Sequence, residues 1–272
     1  MTVLRLYPAP QRQLSLQGLY LGLGLHRRAA PGGILIYANY IASIDGRISL
    51  PDTSGEQGVP ASLANRRDWR LYQELAAQAD IMLTSARYFR QLAQERAQDL
   101  LPVGKDDAYA DLAGWRLDQG LNPQPDVAIL SVSLDIPEAA LEAVRDRRVL
   151  VLTGGNAPAE KVERLERLGV LVLVCGEGGV EGKSVRRMLV AEGYRAAYLI
   201  AGPGVFHSML NGGLDLLFLT QRHRLLGGED FRTILQEGLD RPLDLRLCSL
   251  YLDETDAPGQ SFACYALSAE SA

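Results

Sequence analysis

The chain has 272 residues, of which 47% are hydrophobic and 22% charged, a composition that suits one or two globular domains with a substantial core. The net charge is −5 without any basic cluster, so nucleic acid and anionic membranes are not expected partners. No apolar stretch approaches the roughly 20 residues that span a bilayer, and the N-terminus lacks a signal-peptide core. Because Cys175, Cys248 and Cys264 are far apart, we expect a cytoplasmic protein with neither a metal site nor a disulfide framework.

The main domain is predicted to begin at residue 34, after an N-terminal extension or arm (residues 1–33) with a strand at residues 14–25. Residues 34–37 form an apolar run that is typical of a central parallel strand. Small and polar residues follow it, including Asn39, Ala42 and Ser43, where the carboxyl edge of an α/β sheet binds ligands. Asp45 is either a functional carboxylate or part of an Asp-Gly turn, and the residues alone favour the turn.

A helix is predicted from Ser62, acting as its N-cap, to about residue 79. Residues 81–83 then predict a strand, and the hydroxyl residues Thr84 and Ser85 follow at its carboxyl end. Arg87 is either a phosphate partner or a solvated charge at the start of a helix. Further helix is predicted over residues 91–100, with loops at 105–107 and 122–125.

Strands and helices then alternate, which predicts a parallel sheet. The predicted strands are 127–132, 149–152 and 170–174, and the predicted helices are 138–145, 159–168 and 184–191, the last capped by Ser184. A flexible polar turn, Thr153 to Asn156, follows the second of these strands. After residue 219 we expect a short helix at 231–236 and an antiparallel hairpin of strands 243–252 and 262–267.

Residues 196–219 contain a strand, a glycine turn, a helix and a second strand, which together predict a small βαβ unit. In the turn, Gly202 and Gly204 flank Pro203 and allow the backbone to bend tightly. The helix N-terminus then points free N–H groups outward, a geometry that suits a phosphate, although a plain tight turn is an equal alternative. The dinucleotide fingerprint is incomplete, because His207 stands where its third glycine belongs.

Four predicted strand ends, after residues 37, 83, 152 and 200, carry small, glycine or hydroxyl residues. In a parallel sheet these ends share one edge, where a long ligand bearing phosphates could be held by hydroxyl groups and backbone donors.

Three motifs then suggest a family. They are Ala42-Ser43-Ile44-Asp45-Gly46-Arg47, the segment from Ala79 to Ser85, and Ile200-Ala201-Gly202-Pro203-Gly204 followed by Leu210-Asn211-Gly212-Gly213-Leu214-Asp215 and Leu226-Gly227-Gly228. In this order and spacing, the chain from about residue 34 to its end resembles the RibD C-terminal family, the reductase domain of bifunctional riboflavin-biosynthesis proteins. The resemblance implies a dihydrofolate reductase-like α/β fold, with a mostly parallel central sheet flanked by helices and with antiparallel C-terminal strands.

The resemblance also implies an NADPH-dependent reductase without metal or flavin. It would transfer hydride to a small molecule containing a pyrimidine, pterin or similar heterocycle, as does the related 5-amino-6-(5-phosphoribosylamino)uracil reductase, and it would form a homodimer. By this likeness Asp45 is the catalytic residue, and Asn39, Asp45 and Ile200 bind the substrate. The residues expected to bind the cofactor are Ala42, Ser43, Thr84, Ser85, Arg87, Thr153, Gly154, Gly155, Asn156, Ala201, Gly202, Pro203, Gly204, Val205 and Phe206.

Two positions depart from the family pattern and leave an alternative open. Ile200 stands where the riboflavin enzymes usually have an acidic residue, and Ala76 replaces the arginine of their leucine-arginine-alanine segment. The alternative is a non-catalytic protein that binds NADP(H) or another nucleotide and retains the fold. Cofactor binding without turnover would distinguish it from the reductase.

Overall fold

The computed structural model describes residues 1–53 and 55–267, and the chain divides into two compact units. Unit 1 comprises Met1–Gly24, Tyr37–Leu75 and Leu214–Ala272, and unit 2 comprises Leu25–Ile36 and Ala76–Gly213. The strands are β1 (Thr2–Tyr7), β2 (Arg12–Ser15), β3 (Leu35–Ser43), β4 (Leu50–Pro51), β5 (Gln57–Gly58), β6 (Ile81–Ser85), β7 (Asp126–Leu130), β8 (Val149–Thr153), β9 (Leu171–Val174), β10 (Ala196–Leu199), β11 (Leu216–Arg222), β12 (Leu245–Asp253) and β13 (Gln260–Leu267). The α-helices are α1 (Arg66–Ala77), α2 (Ala86–Ala93), α3 (Ala110–Asp118), α4 (Glu138–Glu142), α5 (Ala159–Arg167), α6 (Gly182–Ala191) and α7 (Pro203–Leu210).

Unit 2 is built on five parallel strands in the order β10-β6-β7-β8-β9. Its inner strands are short apolar runs, and every residue of β10 is buried, as expected where helices cover a parallel sheet. In the connections β6-α2, β7-α4, β8-α5, β9-α6 and β10-α7, a helix is the next element along the chain after each strand. All five carboxyl ends therefore lie along one edge of this sheet.

The main sheet strands of unit 1 have the order β2-β1-β12-β13-β11-β3, and β4 and β5 form a separate two-stranded sheet. Strands β3 and β11 are parallel, whereas the remaining neighbours in this order are antiparallel. Strands β12 and β13 form the predicted C-terminal hairpin, whose turn is closed by a hydrogen bond from Gly259 N to Asp256 O. The predicted α/β class, with parallel strands, flanking helices and antiparallel C-terminal strands, is confirmed.

The predicted strand over residues 14–25 is wrong. Strand β2 ends at Ser15, and two 3-10 turns, Leu21–Leu23 and Leu25–Arg27, follow it. The backbone leaves the extended conformation at Gly18, where φ is +82°, and the Glu74 carboxylate accepts hydrogen bonds from the N–H groups of Gly18 and Tyr20. Within the predicted extension, β1 pairs with both β2 and β12 of unit 1.

The first strand of the main domain does not end at residue 37 as predicted. Strand β3 continues to Ser43, because residues 37–43 pair in register with residues 216–222 of β11. Asn39 and Ala42 therefore lie within a strand and not in a segment after it.

Several predicted helix boundaries are also wrong. Asn65, not Ser62, caps α1, since its side-chain oxygen accepts the N–H groups of Arg67 and Asp68. Helix α2 starts directly after β6 and ends at Ala93, before Glu95 adopts a φ of +57°. Helix α6 begins at Gly182, which places Ser184 inside its first turn.

Residues 231–236 form no helix, contrary to prediction; Arg232 pairs instead with Ser49 in an isolated β-bridge. In the part of the chain that the structure describes, no helix is long and apolar enough to cross a membrane.

Candidate functional site

The carboxyl ends of the unit 2 strands bring together three of the four predicted polar segments. Backbone hydrogen bonds join neighbouring ends, from Ile200 N to Leu83 O (2.9 Å), from Ser131 N to Leu152 O (3.0 Å) and from Cys175 N to Thr153 O (2.7 Å). The segments at this edge, called the carboxyl edge below, are residues 84–87, 131–133, 153–156, 175–181 and 200–206.

The chain changes direction between β6 and β10. From β6 it moves outward through β7 and β8 to β9, and it then returns to the other side of β6 as β10. In open parallel sheets such a reversal opens a crevice outside the carboxyl ends of the two strands, which is where ligands bind. Helices α2 and α7 both start at this crevice, and neither has an acidic residue in its first turn.

The glycine turn before α7 leaves that helix N-terminus uncovered. Gly202 and Gly204 are exposed, and a Cβ built on either would meet no atom within 4 Å. Gly202 has φ −72° and ψ 179°, a conformation open to any residue, so the tight turn itself does not require glycine there, contrary to expectation. Pro203 occupies the first turn, where its missing N–H is not needed. The bare backbone thus allows a large anionic group to approach closely.

Two threonines at the carboxyl edge have buried hydroxyl groups without partners. Thr84, at the end of β6, is 1% exposed, and Thr153, at the end of β8, is fully buried. Neither Oγ1 forms a hydrogen bond with any group that the structure describes. Buried polar atoms are nearly always paired, so unpaired hydroxyls on two strand ends indicate an edge suited to a polar ligand or to ordered water.

The loop between β9 and α6, residues 175–181, was not among the predicted site segments. It packs backbone to backbone against residues 153–155, with Gly155 N donating to Gly176 O at 2.7 Å. A Cβ on Gly154 would lie 2.9 Å from Gly179 N, and one on Gly176 would lie 2.3 Å from Gly179 O. Three glycines in five residues, 175–179, were the available signal. Because the atoms that such a Cβ would meet belong to the backbone and cannot move aside, only glycine at these positions allows the two loops to pack this closely.

A cleft of about 410 Å³ opens beside these loops, and it is called the β8–β9 cleft below. A second cavity of about 230 Å³ lies at the opposite, amino ends of the strands, where Tyr194 donates to Asp126 and Arg148 donates to Glu192. The lining of the β8–β9 cleft includes Gly155, Gly176, Glu177, Glu181, Ser184 and Arg187.

Asp45 belongs to unit 1, where it is the centre of a hydrogen-bond cluster. Its carboxylate accepts from the Ser43 hydroxyl (2.5 Å), from Arg47 Nη1 (2.5 Å) and from the backbone N–H groups of Leu226 and Gly227 (3.2 and 2.9 Å). The Ser43 hydroxyl, followed by the Gly227 and Leu226 amides, holds the pKa of Asp45 well below its ordinary value. Asp45 is therefore ionised at neutral pH and acts as an acceptor.

Asp45 is part of an Asp-Gly turn, and its carboxylate also bonds to residues that are distant in the chain. Gly46 has a φ of +80° and donates its N–H to Ser43 O, so this turn requires glycine. Arg47 extends the same cluster, since Nη2 donates to Gly228 O at 2.8 Å and the guanidinium lies 4.1 Å from the ring centroid of Phe231. Together these contacts fasten the segment after β11 to the turn after β3.

The remaining predicted residues have separate places. In unit 1, Asn39 is half-buried and its side-chain oxygen has no partner among the described residues, while Ala42 is buried. In unit 2, Ile200 is half-buried at the end of β10 and Ala201 is buried beside it. Arg87 lies in the first turn of α2, where it is half-buried and already engaged within the fold. The structure thus brings the unit 2 residues together at the carboxyl edge and places Ser43 and Asp45 in the unit 1 cluster.

Comparison with known proteins gives a family match and several structural neighbours. A model of the RibD C-terminal domain matches residues 35–257. A pyrimidine reductase-like protein from Corynebacterium diphtheriae has a TM-score of 0.66 at 19% identity, over 94% of this chain and 100% of its own. RibD from Acinetobacter baumannii scores 0.60 at 17% identity, over 87% of this chain and 58% of its own. The riboflavin biosynthesis reductase of Saccharomyces cerevisiae scores 0.60 at 13% identity, over 92% and 99%.

At these identities the structural likeness establishes the fold alone. No curated protein matches the chain in sequence.

Proposed function

The chain belongs to the RibD C-terminal domain family, and from this premise we propose that it is an NADPH-dependent reductase. Its substrate would be a small molecule with a pyrimidine, pterin or similar heterocycle. The observation that carries the proposal is the pair of helix N-termini, α2 and α7, that start side by side at the crevice between β6 and β10. When bound, the reduced nicotinamide supplies the hydride, and the protein supplies orientation and electrostatics.

The residues at this crevice suit the diphosphate of a dinucleotide. The exposed backbone of residues 202–204 and the start of α2 after Ser85 offer N–H donors, and no carboxylate in either first turn opposes an anion. The buried hydroxyl groups of Thr84 and Thr153 add donors without partners along the same edge. Ala201, Val205 and Phe206 flank the glycine turn and complete the proposed contact surface.

In unit 1 we assign Asp45 a positioning role and not that of a proton donor. A carboxylate with a lowered pKa and four donors keeps its charge at neutral pH, so it has no proton to give. Asp45 holds the backbone of residues 226–227 in place. Asn39, in β3, has a side-chain amide oxygen without a partner among the described residues, and this oxygen could accept a hydrogen bond from a substrate N–H. The proton that accompanies hydride would then come from solvent.

Substitution of Gly202 tests cofactor binding without disturbing the fold. Gly202→Val places branched carbons on the open N-terminus of α7, where a Cβ meets no protein atom, so the variant should fold normally. We expect its affinity for NADPH, followed by nicotinamide fluorescence, to fall at least about tenfold, a loss of about 1.4 kcal/mol. Gly238→Val is the matched control, because Gly238 is also exposed and unhindered but lies in unit 1, outside the proposed site.

Equal NADPH affinity in folded Gly202→Val and wild-type protein would contradict this assignment. Saturable NADPH binding without turnover of any heterocyclic substrate would favour the alternative, a non-catalytic NADP(H)-binding protein. Two features of the chain support that alternative, Ile200 in place of an acidic residue and Ala76 in place of an arginine.

A further inference from the structure

The β8–β9 cleft contains three charged groups that the fold leaves without ion pairs. Arg187, on α6, is exposed, and its Nη2 donates to the neutral Ser184 hydroxyl at 3.0 Å. Glu177 and Glu181, on the loop before α6, are also exposed. Among residues 1–53 and 55–267, none of these three charges takes part in a salt bridge. Unpaired charges of both signs around a preformed cleft are available to a ligand.

Backbone hydrogen bonds hold the walls of the cleft together, which fixes the backbone positions from which its charged side chains extend. Gly155 N and Cys175 N each donate to the facing loop at 2.7 Å, and Glu181 N donates to Cys175 O at 2.8 Å. A Cβ on Gly176 would also lie 3.0 Å from the Glu181 side chain, which therefore folds over this loop. Ser184, whose hydroxyl accepts the hydrogen bond from Arg187, is itself buried.

The position of the cleft relates it to the proposed cofactor. It lies at the carboxyl ends of β8 and β9, on the same edge as the crevice between β6 and β10. Neighbouring strands are about 4.8 Å apart, so roughly two or three strand spacings, about 10–14 Å, separate the crevice from the cleft. A dinucleotide whose diphosphate lies at the start of α7 would extend its adenosine half along this edge into the cleft.

We infer that Arg187, and not Arg87, recognises the 2′-phosphate on the adenosine ribose of the cofactor, while Glu177 and Glu181 favour the unphosphorylated ribose. This inference rests on the proposed function. A guanidinium pairs with phosphate through parallel N–H donors, whereas a carboxylate accepts from ribose hydroxyls and repels a phosphate. Arg87 is less suited, because it is half-buried and already engaged within the fold. The balance of the three charges sets the preference between NADP(H) and NAD(H).

The ratio of two affinities tests this assignment. The dissociation constants of NADP⁺ and NAD⁺ are measured by titration calorimetry for wild type, Arg187→Gln, Glu181→Gln and the pair Glu177→Gln/Glu181→Gln. We expect Arg187→Gln to weaken NADP⁺ at least about tenfold and to change NAD⁺ less than about twofold. The glutamate variants should strengthen NADP⁺ several-fold by removing repulsion, and added salt should shrink each difference.

Two controls separate recognition from general charge effects. Arg167→Gln removes an exposed arginine of α5 that lies outside the cleft, and it should leave the ratio unchanged. Arg87→Gln should also leave the ratio unchanged. The inference is overturned if Arg187→Gln weakens the binding of NADP⁺ and NAD⁺ equally. It is also overturned if Arg87→Gln, and not Arg187→Gln, lowers the ratio of NADP⁺ affinity to NAD⁺ affinity.

The outcomes also separate this inference from the function on which it rests. If Gly202→Val weakens NADPH binding while Arg187→Gln leaves the ratio of NADP⁺ to NAD⁺ affinity intact, the proposed cofactor site stands and the role of Arg187 is refuted. If the wild-type protein binds neither dinucleotide, both proposals are refuted.

Discussion

A buried carboxyl group in unit 1 makes the stability of the fold depend on pH. Asp68, in the first turn of α1, is 9% exposed, accepts a hydrogen bond from Thr220 and lies beside Arg222. Burial raises the pKa of Asp68 from 3.8 to about 6, although the Thr220 hydroxyl and the Arg222 charge oppose the rise. Because the folded pKa exceeds the unfolded one, its stabilising effect is complete below pH 3.8 and is lost as the pH rises through 6.

The substitution Asp68→Asn removes this dependence. A difference of about two pKa units corresponds to about 3 kcal/mol, and asparagine cannot ionise but still accepts from Thr220. The unfolding free energy of the variant minus that of wild type should therefore rise by up to about 3 kcal/mol between about pH 4 and pH 7.

Urea denaturation followed by circular dichroism at pH 4, 5, 6 and 7 measures this difference. Asp240→Asn, at an exposed position in unit 1, controls for the loss of one carboxylate from the surface. A difference between Asp68→Asn and wild type that stays flat, or that falls as pH rises, would refute the account of Asp68 as a buried acid with a raised pKa.

Three further predictions concern the site and the assembly. Asp45→Asn should leave NADPH affinity unchanged and cut turnover about 100-fold, because the backbone that Asp45 holds loses its position. If the wild-type pH–rate profile shows an ionisation near neutral pH that is missing in Asp45→Asn, Asp45 is a proton donor and the positioning role is contradicted. Gly154→Ala should destabilise the protein by about 1–3 kcal/mol in urea denaturation, because its Cβ would lie 2.9 Å from Gly179 N, whereas Gly178→Ala is unhindered and should be neutral. We also propose a homodimer, since the edge strand Leu171–Val174 is only partly covered. Light scattering should then give about twice the 29.7 kDa of one chain, and a value near 29.7 kDa at micromolar concentration would exclude the dimer.

The elements that sequence analysis predicted well are those with strong local signals. The apolar runs that became β6, β8 and β10 are too short for helices, and each ends in glycine or hydroxyl residues. These signals sufficed to locate the strand ends of the carboxyl edge and to suggest the family that the model of the RibD C-terminal domain confirms. Local signals predicted the wrong structure in two places. The strand predicted over residues 14–25 is interrupted at Gly18, and β3 continues beyond residue 37 because it pairs with β11.

Features that depend on distant contacts were beyond local reasoning. The two amide donors to Asp45 come from Leu226 and Gly227, about 180 residues away in the chain. The role of Gly154 is visible only once the loop after β9 packs against it, because the clash it avoids is with Gly179. The charges around Arg187 likewise form one cleft only after α6 and two loops have met.

Hydrogen–deuterium exchange with and without NADPH is the decisive experiment on the cofactor site, because it shows which backbone amides the cofactor covers. We predict saturable protection of residues 84–88, 153–156 and 201–206, and we expect Gly202→Val to need at least about ten times more NADPH for half-maximal protection. Saturable NADPH binding that leaves all three segments unprotected, or half-maximal protection of Gly202→Val at the same NADPH concentration as wild type, would contradict the proposed cofactor site.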